Sequence, residues 1–164
     1  MKTLYLVRHG KASWEMPGTS DFDRTLLPKG EKKTELVAEF LKKRNSAIDL
    51  ILSSPAARAY ETALIMARVL DYPAGKIKTD RKIYDGYYDR ILDLIYATDH
   101  SVDALMIFGH NPTITQIANL FLTPGLEAMP TSCVVCMNFN TDKWEAIPSV
   151  EATIEFVITP KMLK

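Results

Sequence analysis

Residues 3–14 read TLYLVRHGKASW, and the first half of this stretch decides the kind of fold. The mostly apolar run of residues 3–7 has the character of a strand that is covered on both faces. It passes directly into a cation, an imidazole and a glycine, at Arg8, His9 and Gly10. A buried strand that ends in such groups predicts a charged, hydrogen-bonding partner just beyond that end.

The composition is that of an ordinary globular protein, with 47% hydrophobic and 24% charged residues. A length of 164 residues suits one domain, residues 1–164, with a sizeable core. Twenty basic and twenty acidic side chains cancel, so no bulk charge attracts nucleic acid or an anionic membrane. No run approaches ~18 apolar residues, and no signal peptide precedes the first strand. These features predict a cytoplasmic protein without nucleic-acid or membrane partners.

The two cysteines, Cys133 and Cys136, lie in one short strand-like run. Residues three apart on a strand face opposite sides, which is a poor arrangement for a disulfide. A metal-binding or redox pair would stand in a turn with further ligands nearby. We therefore expect two core thiols in a reducing compartment.

The rest of the chain alternates strand-like and helical segments. Residues 28–44 are predicted as a helix with Leu36, Val37, Phe40 and Leu41 on its apolar face. Further helices are predicted at residues 55–70, 89–98 and 112–121, and further strands at residues 49–52, 77–79, 104–108, 134–139 and 153–158.

Two of these helices carry a start signal, a favoured N-cap followed by a proline, at Ser54-Pro55 and Asn111-Pro112. Strands that alternate with helices of ten or more residues predict parallel pairing. The fold class is therefore α/β, a three-layer doubly wound, mostly parallel sheet with helices on both faces. The two late strands lack long helices between them and are expected to extend one side of the sheet.

Three predicted strand ends carry groups that bind anions. Arg8 and His9 follow the first strand, Arg58 lies in the first turn of the helix after the second, and His110 follows the strand at residues 104–108. In an open parallel sheet the carboxyl ends of the strands share one edge, where ligands bind. Helix N-termini and arginine forks there match phosphate oxygens. The sequence therefore predicts a site for a phosphoryl group.

Each of these residues alone has an ordinary structural explanation. An Arg-His pair is often a solvated strand end, Ser-Pro and Asn-Pro are capping devices, and Arg58 alone would be a surface arginine. Their joint occurrence on one sheet edge favours function. His100, in the polar stretch TDHSVD, serves as a comparison and is expected to be exposed and without a catalytic role.

Five stretches together carry a family resemblance: LVRHGKASW, SDFDRTLLPKG, LILSSPAARAYETA, MIFGHNPTIT and the terminal TPKMLK. In this order and spacing the chain resembles the histidine phosphatase superfamily, which has a phosphoglycerate mutase-like fold. Within it, the chain is similar to the small phosphohistidine phosphatases of the SixA type. It departs from the family pattern at Leu27, where relatives usually have a polar residue, and this weakens the N-cap of the first long helix.

The resemblance implies a catalytic mechanism. His9 would be the nucleophile that attacks phosphorus and forms a phosphohistidine, which water then hydrolyses. Arg8, Arg58 and His110 would bind the phosphoryl group and stabilise charge on its oxygens. Neighbouring guanidinium groups would help to keep His9 neutral near pH 7. No metal and no cofactor is required in this scheme.

The proton donor is the open point in this scheme. By resemblance, Asp85 stands where many members have an acidic residue that protonates the leaving group. Asp21 is its rival, and a turn formed with Gly86 is the structural alternative for Asp85. The SixA-type branch is thought to need no strong acid, because the nitrogen–phosphorus bond of phosphohistidine is labile. Arg24 is expected to brace the loop after the first strand or to reach the pocket rim.

Three functions remain open from the sequence. The first is a metal-independent phosphatase for phosphohistidine in proteins, and the second is a phosphatase for small phosphomonoesters such as sugar phosphates. The third is a non-catalytic module that binds phosphoproteins. Only about fifty residues separate Arg58 from His110, too few for a long lid, so an uncovered site is expected. Tyr84, Tyr87, Tyr88 and Trp14 are expected at its rim or as cover for the sheet end.

Overall fold

The computed structural model describes residues 1–14 and 17–163. Within these residues the chain forms one six-stranded sheet and five α-helices. The strands are β1 (Lys2–Arg8), β2 (Leu50–Ser53), β3 (Lys78–Thr79), β4 (Ala104–Gly109), β5 (Val134–Phe139) and β6 (Ala152–Ile158). The helices are α1 (Pro28–Lys43), α2 (Ala57–Val69), α3 (Lys82–Asp85), α4 (Tyr88–Tyr96) and α5 (Thr113–Asn119). Lys164, the last residue of the TPKMLK stretch, lies outside the described residues.

The strands are ordered β3-β2-β4-β1-β5-β6 across the sheet. Strands β3, β2, β4 and β1 run parallel to one another. Strand β5 runs antiparallel to β1, and β6 runs antiparallel to β5. The prediction of a mostly parallel sheet that the two late strands extend on one side is confirmed. In the described ranges, no helix combines the length and the apolar character needed to cross a bilayer.

Helices cover both faces of the sheet, because the central strands are apolar on both sides. Leu4 and Leu6 of β1 pack in one core cluster with the apolar faces of α4 and α5. Tyr5 and Val7 point the other way, into a second cluster formed with α1 and α2. The three-layer architecture predicted from the alternating segments is therefore confirmed.

The predicted helix starts at Ser54-Pro55 and Asn111-Pro112 are too early. Helices α2 and α5 begin at Ala57 and Thr113, without a side-chain hydrogen bond at either N-cap. The expected capping groups have other partners: Ser54 Oγ lies 2.7 Å from His110 Nε2, and Asn111 Nδ2 donates to the Met129 carbonyl at 2.9 Å. Each side chain also keeps a bond to the start of its helix, since Ser54 Oγ accepts from the Ala56 N–H at 3.2 Å and Asn111 Oδ1 accepts from the Thr115 hydroxyl at 2.6 Å.

The apolar face predicted for α1 is wrong at one position. Leu36 is 46% exposed, whereas Val37 and Leu41 are buried together with Thr34 and Ala38. The buried set has the spacing i, i+3, i+4 and i+7, which is that of one helix face. Leu27 precedes α1 without a side-chain cap, as the sequence indicates.

The two cysteines are free and buried, as predicted. Cys133 belongs to the core cluster beside α4 and α5, and Cys136 belongs to the cluster beside α1 and α2. The sheet therefore lies between the two thiols.

Two backbone N–H groups near the end of the connection from β1 to α1 hold it in place through hydrogen bonds. Leu27 N–H donates to the Lys11 carbonyl at 2.9 Å, and Leu26 N–H donates to Glu61 of α2 at 2.8 Å. Gly30 lies against the same connection, and a Cβ atom there would come within 2.3 Å of the Lys11 carbonyl oxygen. The first turn of α1 thus approaches Lys11 more closely than any residue with a side chain permits.

We expect Gly30→Ala to destabilise the protein by about 1–3 kcal/mol, since the backbone must move to admit the methyl group. Urea denaturation measures this loss. Gly75→Ala is the matched control, because a Cβ atom there meets nothing within 4 Å and its backbone conformation admits alanine. Equal losses of unfolding free energy in the two variants would contradict the close contact.

Candidate active site

The ends of three parallel strands bring the predicted residues together. Arg8 and Gly109 are partners in the register of β1 and β4, and His9 N–H donates to the Gly109 carbonyl at 3.2 Å. The chain after β2 joins the same edge, because Ser54 N–H donates to the Phe108 carbonyl at 3.0 Å. His9, His110 and the start of α2 therefore have fixed relative positions.

Arg8, His9, Arg58 and His110 form what we call the histidine–arginine cluster. The ring centroids of His9 and His110 are 5.1 Å apart, and Arg58 Nε lies 3.4 Å from His9 Nε2. His9 is 8% exposed and Arg58 is 6% exposed. Arg8 Nη1 donates to the Met129 carbonyl at 3.0 Å, which holds this guanidinium at the strand end.

The hydrogen bond of the His9 ring defines which nitrogen carries the proton. His9 Nδ1 lies 2.8 Å from the Gly10 carbonyl oxygen. A carbonyl oxygen only accepts, so Nδ1 carries the hydrogen and donates it. The lone pair of the neutral ring is then on Nε2, the nitrogen that faces Arg58.

Burial lowers the pKa of His9 to about 4, although the hydrogen bond to Gly10 raises it; the charges of Arg58 and Arg8 lower it further. Burial likewise lowers the pKa of His110 to about 3, with contributions from His9 and Arg58. Both rings are therefore neutral at pH 7. A neutral imidazole can act as a nucleophile through its free lone pair or as a neutral hydrogen-bond donor.

Two buried side-chain nitrogens, Arg8 Nε and His110 Nδ1, have no hydrogen-bond partner among the described residues. Buried polar atoms are almost always paired in folded proteins, so two exceptions in one place call for an explanation such as a catalytic role or a bound ion. Both atoms belong to the histidine–arginine cluster. An anion with several oxygen acceptors, such as a phosphoryl group, matches this set of nitrogens and guanidinium groups.

Asp21 lies directly against the cluster. Its carboxylate accepts hydrogen bonds from Arg58 Nη2 at 3.1 Å, Arg24 Nη1 at 3.0 Å and the Tyr84 hydroxyl at 2.8 Å. Partial burial raises the pKa of Asp21, but the hydrogen bonds from Tyr84, Arg24 and Arg58 outweigh it and lower the pKa to about 2. Asp21 is therefore ionised at neutral pH and has no proton to donate.

Arg24 braces the loop that carries Asp21, which is one of its two expected roles. Its Nε donates to the Ser13 carbonyl at 2.6 Å, in addition to the contact with Asp21. Because Asp21 also accepts from Arg58 through its backbone carbonyl, at 2.7 Å, the loop and α2 are joined at this point.

Asp85, the expected proton donor, contacts a different group. Its carboxylate accepts from Arg81 Nε at 3.0 Å, and its side chain is 56% exposed. Asp85 is the last residue of α3 and precedes Gly86, as in the structural alternative. Its role as an acid stays a prediction.

Tyr84 is the aromatic residue that joins the site, with its ring centroid 5.5 Å from that of His110. Trp14 and Tyr87 are 83% and 79% exposed, and Tyr88 is 44% exposed. His100 is half exposed and pairs with Glu145 at 3.0 Å, so the expectation of an exposed histidine is confirmed.

Two hydroxyl groups of the site were not identified from the sequence. Thr62 Oγ1 accepts from Gly10 N–H at 2.9 Å and donates to the Arg58 carbonyl at 2.7 Å. Ser54 Oγ contacts His110 Nε2 at 2.7 Å. Thr62 stands one helical turn after Arg58, a spacing that places both on one face and was a usable signal. For Ser54 the signal was read as a helix cap.

Comparison with known proteins agrees with this geometry. The sequence model of the histidine phosphatase superfamily (branch 1) matches residues 4–85, half of the chain. An uncharacterized protein of Picosynechococcus is 32% identical over 70% of this chain and 70% of its own length. A crystal structure from Agrobacterium tumefaciens, provisionally assigned as the phosphohistidine phosphatase SixA, is 28% identical with a TM-score of 0.82, covering 97% of this chain and 98% of the other. The structure of the protein histidine phosphatase SixA with tungstate has a TM-score of 0.84 at 22% identity and covers 99% of both chains.

We expect the two buried rings to make stability depend on pH between about 6.5 and 4. Because the pKa values of His9 and His110 are lower in the folded state, the unfolded chain binds more protons here in this range. The free energy of unfolding should therefore fall as the pH falls, by up to about 1.4 kcal/mol per pH unit for each ring. Urea denaturation at pH 7, 6 and 5 measures this slope.

The double variant His9→Asn/His110→Asn should have a flatter slope than the wild type. An unchanged slope in the double variant would show that other groups bind the protons.

Proposed function

The chain belongs to the histidine phosphatase superfamily and is a phosphatase, and on that premise we propose that it hydrolyses phosphohistidine in proteins through a covalent intermediate on His9. The observation that supports the assignment of the nucleophile is the His9 ring itself. Its Nδ1 hydrogen is held by the Gly10 carbonyl, so its lone pair is on Nε2, where Arg58 Nε donates a long hydrogen bond of 3.4 Å that a phosphoryl group would replace.

In the first step the Nε2 lone pair forms a bond to phosphorus, and the bond from phosphorus to the leaving group breaks with its electron pair. Phosphoryl transfer of this kind depends on in-line positioning and on neutralising the oxygens of the transferred group. Arg8 and Arg58 supply two fixed positive charges beside His9. His110 adds a neutral ring, and its ring centroid lies 5.1 Å from that of His9.

The second step is hydrolysis of the phosphorylated His9. With phosphorus on Nε2 and hydrogen on Nδ1, the ring is cationic, and the Gly10 carbonyl stabilises that charge. Attack by water on phosphorus breaks the nitrogen–phosphorus bond and returns the electron pair to Nε2. The neutral ring is then restored for the next cycle, and inorganic phosphate is released.

The carboxylates near the site favour phosphohistidine over phosphate esters as the substrate. Asp21 is ionised and engaged by three donors, and Asp85 is paired with Arg81. An alkoxide leaving group needs a proton, whereas the imidazole of phosphohistidine can already carry one on its other nitrogen. A site whose contacting carboxylate, Asp21, has no proton to give is suited to the second kind of leaving group.

The connection between Arg58 and His110 also favours a protein substrate. Helices and strands occupy most of it: the remainder of α2, a short 3-10 turn, β3, α3, α4 and β4. A substrate group that another protein presents needs access from outside, which such a compact connection leaves open. The exposed aromatic rings of Trp14 and Tyr87 offer contact area to that protein.

The test is a comparison of substrates in the presence of EDTA. We expect faster release of phosphate from a histidine-phosphorylated protein domain than from a panel of sugar phosphates and an aryl phosphate. His9→Ala should lower turnover by at least ~10³-fold, because no other group forms the covalent intermediate. It should still bind tungstate, which makes it a matched control for folding.

Other results have clear meanings. Faster hydrolysis of the sugar phosphates would show that the chain is a small-molecule phosphatase. Binding of a phosphoprotein without turnover would show that it is a binding module. A strict requirement for a metal ion, or near wild-type turnover by His9→Ala, would contradict the proposed mechanism.

Asp85→Asn should change hydrolysis of both an aryl phosphate and a phosphoramidate by less than about twofold. The reason is that the Asp85 carboxylate is exposed at the end of α3 and accepts its hydrogen bond from Arg81. Steady-state kinetics on the two compounds measure the effect. A selective loss with the aryl phosphate would identify Asp85 as the proton donor after all.

A further inference from the structure

Ser54 makes a contact that its position after β2 does not require. Its Oγ lies 2.7 Å from His110 Nε2 and accepts from the Ala56 N–H at 3.2 Å. Ser54 is fully buried, so no solvent competes for the hydroxyl. At the other side of the ring, His110 Nδ1 is buried without a partner among the described residues.

The hydrogen atoms of this group can be placed by counting donors and acceptors. A hydroxyl has one hydrogen and can accept two hydrogen bonds. If Nε2 carried the ring hydrogen, Ser54 Oγ would accept from both Ala56 and His110, and its own hydrogen would have no acceptor among the described residues. If Ser54 donates to Nε2, the hydroxyl hydrogen is used, and the one hydrogen without a protein acceptor is then on Nδ1, the nitrogen that has no partner among the described residues.

We propose that Ser54 is a positioning residue that holds His110 in the Nδ1–H form, so that the ring donates a hydrogen bond to the transferred phosphoryl group. The proposal rests on the proposed function for its ligand, a phosphoryl oxygen. The assignment of the hydrogen rests on the contact between Ser54 and Nε2 and on the unpartnered Nδ1, which a phosphoryl oxygen would accept from.

The tautomer of the His110 ring matters because the oxygens of a phosphoryl group are negatively charged. A ring with a lone pair on Nδ1 would point negative charge density at a phosphoryl oxygen and would repel it. A ring with hydrogen on Nδ1 offers a fixed donor in a buried place, where such donors stabilise developing charge best. Burial also lowers the pKa of His110, so the ring stays neutral and its form depends on the hydroxyl rather than on pH.

Ser54 also connects His110 to Arg58. The Ala56 N–H that it accepts from belongs to the N-cap residue of α2, and Arg58 lies in the first turn of that helix. One hydroxyl therefore relates the second histidine to a guanidinium of the same cluster.

The direct test is 15N NMR of wild-type protein labelled at histidine. We expect His110 to show a protonated-type shift at Nδ1 and a lone-pair-type shift at Nε2, assigned by comparison with His110→Gln. The opposite pattern would overturn the proposal. This measurement needs no substrate, so its outcome is separate from that of the proposed function.

The kinetic test compares three variants on one phosphorylated substrate. Ser54→Ala should lower kcat by about tenfold to a hundredfold with a smaller change in KM, less than the ~10²–10³ cost of deleting a transition-state donor outright. Ser54→Thr keeps the hydroxyl and should recover most of the rate and the wild-type 15N pattern. Wild-type kcat in Ser54→Ala would refute the positioning role.

Ser53→Ala is the matched control. Ser53 is also fully buried, and its hydroxyl donates to the Ser54 carbonyl at 2.8 Å, away from the His110 ring. It should keep the wild-type kcat and 15N pattern. A loss equal to that of Ser54→Ala would show that packing at this strand end, rather than the hydroxyl on His110, sets the rate.

Discussion

The parallel register of β1 with β4 is the constraint on which the site depends. It aligns Arg8 with Gly109, so the next residue of each strand is a histidine at the same edge of the sheet. β2 pairs with the other side of β4 and brings the start of α2 to that edge. A slip of one residue would turn every side chain of β1 to the opposite face and would separate the two rings. The core packing on both faces of β1, which holds this register, therefore also determines where the two histidine rings lie.

The positive charge of the site is local, whereas the chain as a whole has a formal net charge of zero. Two guanidinium groups lie beside two neutral rings, and Asp21 compensates part of the positive charge from the loop before α1. Burial keeps the rings neutral, and the carboxylate keeps Arg58 oriented. Each group is thus in the protonation state that its proposed role needs before any substrate binds.

Most of the fold, and the placement of the four cluster residues, follow from the sequence because strand ends and helix periodicity are local signals. The roles of the hydroxyl and carboxyl groups were not predictable in the same way. Ser54 was read only as a cap, because sequence shows a residue's type and neighbours but not its partner across the sheet, whereas the acid role of Asp85 stays a prediction. Two partners of Asp21, Arg58 and Tyr84, are 37 and 63 residues away in sequence, and His110, the partner of Ser54, is 56 residues away. Such pairs become visible only when the register is known.

Thr62 has a consequence for the cost of assembling the transition state. Its hydroxyl joins the amide after the nucleophile to the helix turn that carries Arg58. The backbone segments that carry the imidazole and the guanidinium are consequently joined during folding, and the entropy of bringing these segments together is lost at that stage. Little of that entropic penalty is left for the chemical step, which is the advantage that an intramolecular reaction has over a bimolecular one.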